Sequence, residues 1–324
     1  MRRNGPPESM SFEDLPDGPV PPGAVRVAVQ ASAVNFFDSL VVAGTYQQKP
    51  ELPFVPGAEV AGTVVAAPAE SGFVPGDRVL AQVRWSGING GGYAEVAHTR
   101  PQDTLKIPVS MSFEEAAAFY INYQTGWFGL HRRAHLQAGD FLLVHAAAGG
   151  VGTAALQLGK AAGAIVIASV GSPEKAEVCR RLGADLVIER HEQDLVQAVR
   201  EFTQGHGADV VFDPVGGEAY ERSTKCIAFE GRLVVVGFTS GEIPQARQPR
   251  ARQELFGGGP PLEPLPGAEA RPRCRMHRRA VEAVRRRPHR ALRVAQGAPR
   301  AGGAGACRRR GGSDHRQDGP GDGG

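Results

Sequence analysis

The stretch DFLLVHAAAGGVGTAALQLGKAAGAIVIASV, residues 140–170, constrains the fold more than any other part of this chain. An unbroken apolar run is followed by a glycine-rich turn, an amphipathic segment that stops at a glycine, and a second apolar run. That order predicts strand, turn, helix, strand, and an apolar strand without alternation predicts a parallel sheet covered on both faces. Ala146, Gly149 and Gly152 occupy the three small-residue positions of a GxGxxG turn. Small residues there let the backbone turn tightly and let the N–H groups of Gly150, Val151 and Gly152, at the start of the helix, approach a diphosphate. The alternation continues with SPEKAEVCRRLGA as helix, DLVIE as strand, QDLVQAVREFTQ as helix, then ADVVFDPVGG and GRLVVVGF as strands. A doubly wound α/β domain is expected.

Residues 24–105 have a different texture. AVRVAVQASAV, PFVPGAEVAGTVVAA and GDRVLAQV are short, β-branched and broken by glycine and proline, which predicts an antiparallel β domain. After it, Ser112 and Glu115 have the spacing of a capping box and predict a helix start.

The second strand of the α/β part ends in ASVGSPEK, with Ser169 where a carboxylate would otherwise grip a ribose 2′-hydroxyl. This absence predicts NADPH rather than NADH. Ser172, Lys175 and Arg190 are the groups that could hold the 2′-phosphate, although Lys175 can also be read as a solvated helix residue.

The net charge of +3 hides a division. From Gln245 onward there are 18 Arg, no Lys and 7 acidic residues, so residues 1–244 carry about −8 and the rest about +11. The basic balance therefore says nothing about a nucleic-acid partner for the body of the chain. Cys179, Cys226, Cys274 and Cys307 lie far apart without a CxxC pair, which argues against a disulfide framework or a structural zinc lobe and fits a reducing cytoplasm. No apolar run is long enough to predict a membrane span.

Taken together, ASAVNFFDSLVVAGTY, LPFVPGAEVAG, GGYAEVA, NYQTGW, AAAGGVGTAALQLGKAAGA, FDPVGG and VVVGFTSGEIP resemble, in order, the medium-chain dehydrogenase/reductase family and, within it, the zinc-independent NADPH:quinone oxidoreductases. The resemblance covers about residues 5–246. It implies a GroES-like N-terminal catalytic domain over 1–116, a Rossmann NADPH-binding domain over 117–246, and nicotinamide in the cleft between them. Zinc-dependent relatives carry a Cys in the stretch matching SAVNFFD and a His in the one matching PGAEVAG. Here there is no Cys, Ala58 stands in the second place, and no metal ligand is expected; His98, His131 and His145 are read as ordinary surface or strand residues.

The resemblance further implies that Asn35 lies beside the nicotinamide amide and Thr125 near its ribose or phosphate. Tyr46 and Asp38 line or shape the substrate side, Gly237 and Phe238 pass alongside the nicotinamide ribose, and Tyr93 is either part of this surface or a packing aromatic. Hydride transfer to a quinone or related α,β-unsaturated carbonyl is the expected reaction, with Tyr46 the best proton donor. Intact family members form homodimers in some cases; no nucleic acid or membrane partner is expected.

Past GEIP the family pattern stops. Codons permitted for residues 247–266, read one nucleotide later, spell GNHALVKNYSVVGLHWSLY, and the same offset on residues 314–323 permits ITGKMVLVT, both family-like. A frame slip near Arg247 is therefore expected, with 247–324 a disordered Arg/Gly/Pro-rich tail and the parallel sheet left with an open edge. The start MRRNGPP likewise lacks the family's opening strand. Two alternatives stay open: a non-catalytic remnant with at most weak dinucleotide binding, and an Arg-rich nucleic-acid arm.

Overall fold

The computed structural model describes residues 1–15, 20–84 and 90–243, and the backbone of 252–255. The first sheet is antiparallel and contains β1 (Val25–Ser32), β2 (Glu59–Ala66), β3 (Arg78–Gln82), β4 (Val96–Thr99) and β5 (Thr104–Lys106), in the order β4-β1-β2-β3-β5. Val25, Val27, Val64 and Val79 close one face of it and Val60, Ala81, Val83 and Ala97 another, so the β-branched residues of the sequence become two small cores.

One helix interrupts the expected run of strands. α1 (Phe36–Ala43) begins at Asn35, whose backbone N–H donates to the Asp38 carboxylate at 2.8 Å, and ends at Gly44, with φ of 74°. An acceptor three residues into the helix and a left-handed glycine after it are enough to fix an eight-residue helix inside a β domain.

α2 (Phe113–Ala117) starts with the expected capping box: Ser112 N–H donates to Glu115 Oε2 at 2.9 Å, and Glu115 N–H to Ser112 Oγ at 3.1 Å. α3 (Tyr120–Trp127) runs on into a π-helical turn over Phe128–Arg133. Buried residues of these two helices, Ala116, Ala117, Tyr120 and Tyr123, share one apolar cluster with Ala31 and Leu80 of the first sheet and Leu142, Phe212 and Val234 of the second. The two sheets are thus joined by a continuous core.

The second sheet is parallel: β6 (Phe141–His145), β7 (Ile165–Val170), β8 (Leu186–Glu189), β9 (Ala208–Asp213), β10 (Ile227–Val235) and β11 (Arg252–Leu255), in the order β11-β10-β9-β6-β7-β8. α4 (Gly150–Ala161), α5 (Pro173–Arg181), α6 (Leu195–Phe202) and α7 (Gly217–Cys226) connect its strands. Strand order reverses between β6 and β9, which places a crevice at their carboxyl ends.

Two expectations need adjustment. Disorder was expected from residue 247, yet 252–255 pair in parallel with β10, Arg252 opposite Arg232 through Leu255 opposite Val235. The edge of β10 is therefore covered along four residues, because pairing there needs only backbone N–H and C=O groups and not a particular side-chain pattern. The remaining tail residues lie outside the described residues. The β-domain reading of 24–105 also missed α1, whose apolar run FFDSLVVA is too short to show its period against neighbouring strands.

Candidate functional site

The site has two ends: a glycine-rich turn at the start of α4, and a largely buried polar group between α1 and the first sheet. At the first, β6 runs into Ala146, which adopts φ of 47°, and the chain turns into α4 at Gly149. Gly149 N–H donates to Ala146 O at 2.8 Å, closing the turn, and Ala147 N–H donates to Ser169 O at 3.2 Å, fixing it to the neighbouring strand. A Cβ on Gly152 would overlap the Ala146 carbonyl oxygen, so only glycine permits this approach. Gly150, Val151 and Gly152 form the first turn of α4, whose N–H groups have no partner within a helix. Such N–H groups carry partial positive charge, which suits an anion.

Ser169 is buried, 4% exposed, and its strand continues to Val170; it supports the turn from beneath instead of ending the strand. Ser172 caps α5, with Oγ accepting from Lys175 N–H at 3.5 Å, and the Arg190 guanidinium lies against Gly171, where a Cβ would meet Nη2 at 3.1 Å. Arg190 is exposed and its Nε donates to His191 Nε2 at 3.2 Å. Lys175 is also exposed; among the described residues no hydrogen bond joins its ammonium to Ser172 or Arg190. Gly237 and Phe238 follow β10 in a loop held by Thr239 N–H donating to Pro214 O at 3.1 Å and Ser240 N–H to Val215 O at 3.0 Å. Asp213, fully buried at the end of β9, accepts from Val215 and Gly216 N–H at 2.8 and 3.0 Å and so shapes the facing loop.

At the other end stand Asn35, Asp38, Tyr46, Tyr93 and Glu59. Asp38 is 3% exposed, accepts from the Tyr93 hydroxyl at 3.2 Å and from Asn35 N–H, and keeps its second oxygen without a hydrogen-bond partner. Burial pushes its carboxyl up to about 7, opposed by those hydrogen bonds. Glu59, fully buried, accepts from Asn35 Nδ2 at 3.4 Å and from Ile121 N–H at 3.1 Å. Burial, helped by the nearby Asp38 charge, pushes it up to about 8. Tyr46 stacks on Phe37 with ring centroids 5.6 Å apart; burial, then the Asp38 charge, raises its phenol, and the same two causes raise Tyr93. Both tyrosines therefore keep their protons at neutral pH.

α3 connects the two ends. Its second residue, Ile121, is held by Glu59, and its third, Asn122, packs on Gly150, where a Cβ would meet Oδ1 at 2.9 Å. Thr125 lies one turn further along, partly buried. Sequence reasoning named Asn35, Asp38 and Tyr46 and left Tyr93 open, but missed Glu59 and Asn122. The signal available for Glu59 was an acidic residue opening the apolar strand EVAGTVVA.

Comparisons with known proteins agree with this architecture. Residues 21–109 match the family described as alcohol dehydrogenase GroES-like domain, and residues 150–255 that described as zinc-binding dehydrogenase. A quinone oxidoreductase-like protein 2 homolog from Nematostella vectensis is 43% identical over 223 residues, 68% of this chain and 60% of the relative's length. The chain thus spans less than two thirds of that protein. The quinone oxidoreductase of Pseudomonas syringae pv. Tomato superposes with a TM-score of 0.74 at 31% identity, covering 88% of this chain and 87% of that one. The Escherichia coli quinone oxidoreductase, solved in complex with NADPH, gives 0.71 at 29% identity, covering 88% and 84%. By two matched domains, sequence identity and fold together, the chain belongs to the medium-chain dehydrogenase/reductase superfamily, among its quinone oxidoreductase-like members.

Proposed function

We propose that this protein is an NADPH-dependent oxidoreductase that transfers hydride to quinones or related α,β-unsaturated carbonyls without zinc. The observation that carries the reading is the connection just described. A helix N-terminus built for a diphosphate is tied, through Asn122, Ile121 and Glu59, to a group of uncharged tyrosines and proton-holding carboxyls.

In this reading Gly149 to Gly152 hold the diphosphate through main-chain N–H groups, with Ala146 making the turn. Ser172 and Arg190 bind the 2′-phosphate, and Lys175 reaches it from α5. Thr125, Gly237 and Phe238 border the nicotinamide ribose, and Asn35 orients the carboxamide. Bound NADPH supplies the hydride. The acceptor oxygen gathers negative charge as hydride arrives at its conjugated carbon, and the chain must stabilise that charge and deliver one proton. Tyr46, protonated at neutral pH, donates at Oη, while Asp38 and Tyr93 form a hydrogen-bonded wall behind it. Val34 and Phe36, 58% and 55% exposed on either side of Asn35, offer the apolar surface that a quinone ring would cover.

The donor set does not fit a catalytic zinc. The two places where zinc-dependent relatives carry Cys and His lack both; Ala58 is 3% exposed, and among the described residues no group of three His, Cys, Asp or Glu side chains could hold a metal ion. No step is therefore assigned to a metal. Titration of the protein with NADPH and with NADH, followed by reduction of 1,4-benzoquinone, tests the proposal: preferential NADPH binding with turnover is expected, and NADH preference or binding without turnover would reject it.

A further inference from the structure

Glu59 is an unusual residue to bury. It is fully enclosed, and no ion pair among the described residues includes it. A carboxylate without a cation is costly to desolvate, and a leucine would fill the same space with gain instead of loss. What a carboxyl provides and a leucine lacks is two oxygens that can hydrogen-bond to two different elements at once.

Each oxygen is used on a different part of the molecule. Oε2 accepts from Asn35 Nδ2 at 3.4 Å, at the N-terminus of α1, and Oε1 accepts from Ile121 N–H at 3.1 Å, in the first turn of α3. The main-chain carbonyl of the same residue accepts from Ala33 N–H at 3.1 Å and Ser32 Oγ at 3.0 Å, fixing the end of β1 that leads into Asn35. One residue thus sets the Asn35 amide, the strand that carries it, and the helix whose Asn122 rests on the phosphate turn at Gly150.

We propose that Glu59 is a positioning residue, a bridge that fixes the span between Asn35 and the phosphate turn so that a dinucleotide gripped at one end presents its nicotinamide in register at the other. This rests on the dinucleotide reading above. The physical basis is that a displacement of about 1 Å at a reacting centre costs on the order of a hundredfold in rate while leaving remote binding contacts intact. Burial also favours the protonated carboxyl, which keeps one oxygen a strong acceptor and turns the other into a donor toward the Asn35 amide oxygen; the bridge persists in either state.

Glu59→Gln and Glu59→Leu separate the possibilities in the full-length protein. A glutamine, with one acceptor oxygen and one NH2, reproduces the pattern of the protonated carboxyl: it accepts from Ile121 N–H and donates to the Asn35 amide oxygen. For Glu59→Gln, kcat with NADPH and 1,4-benzoquinone and the Kd for NADPH are both expected to stay within about threefold of the wild type. For Glu59→Leu, hydrogen–deuterium exchange of residues 120–123 should accelerate and kcat should fall about tenfold or more, with a smaller rise in the Kd. The proposal is overturned if Glu59→Leu keeps kcat within about twofold or leaves exchange at 120–123 unchanged, or if Glu59→Gln loses as much kcat as Glu59→Leu. If the wild-type protein binds NADPH but does not reduce the quinone, the assigned reaction falls, and the exchange and Kd measurements still decide for or against the bridge.

Discussion

The two ends of the crevice are built on opposite plans. The phosphate turn is made from seven consecutive residues, Ala146 to Gly152, and each of its requirements is local: a positive φ at Ala146, a helix start, and no side chain at Gly152. The polar end draws Asn35 and Asp38 from the start of α1, Glu59 from β2, Tyr93 from a loop and Ile121 from α3, with hydrogen-bonded partners up to 62 residues apart in the chain. A local site can be broken by one bad contact, whereas a dispersed site depends on the whole fold and answers to charge and pH. That contrast makes the two ends separately testable.

The largest effect should come from the local end. Gly152→Val places a branched side chain against the Ala146 carbonyl and is expected to weaken NADPH binding by more than about a hundredfold, measured by fluorescence titration. Unimpaired binding would show that the turn does not approach the diphosphate. At the dispersed end, the carboxyls of Asp38 and Glu59 are held above their ordinary values of 3.8 and 4.5, up to about 7 and about 8. The folded chain therefore keeps protons that the unfolded chain has released, and stability falls as pH rises, between about 4 and 7 for Asp38 and between about 4.5 and 8 for Glu59. The loss is of the order of several kcal/mol across both groups. Urea unfolding from pH 5 to 9 should show this slope in the wild type and a shallower one in Asp38→Asn; equal slopes would remove Asp38 from the account.

A smaller effect is expected at the adenosine end. Arg190→Ala should raise the Kd for NADPH about tenfold and leave that for NADH nearly unchanged. Equal losses for both nucleotides would mean that Arg190 supports the fold near Gly171 and does not read the phosphate. The smallest lies between the domains, where Ser112→Ala removes the cap of α2 and should cost about 1 kcal/mol in urea unfolding with no change in the Kd for NADPH.

The same contrast explains how much was legible in the sequence. The parallel sheet, its helices and the phosphate turn could be read because apolar runs and glycine spacing state them within a short window. The capping box at Ser112 was legible for the same reason. Glu59 was not, because its meaning comes from Ile121 and Asn35, which only the packing of α3 against the first sheet brings near. Ser169 was read as a strand tip, but its strand runs one residue further, and beyond it the Arg190 guanidinium lies against Gly171. α1 escaped because eight residues give too little periodicity, and β11 because edge pairing is carried by the backbone.

The central claim is that a dinucleotide seats on the Ala146 to Gly152 turn and reacts without metal. The direct measurement is NADPH binding and benzoquinone reduction by the protein before and after exhaustive chelation. The account predicts a Kd on the order of micromolar and turnover that chelation leaves unchanged. Absence of NADPH binding, or activity that disappears with the chelator and returns with zinc, would contradict it.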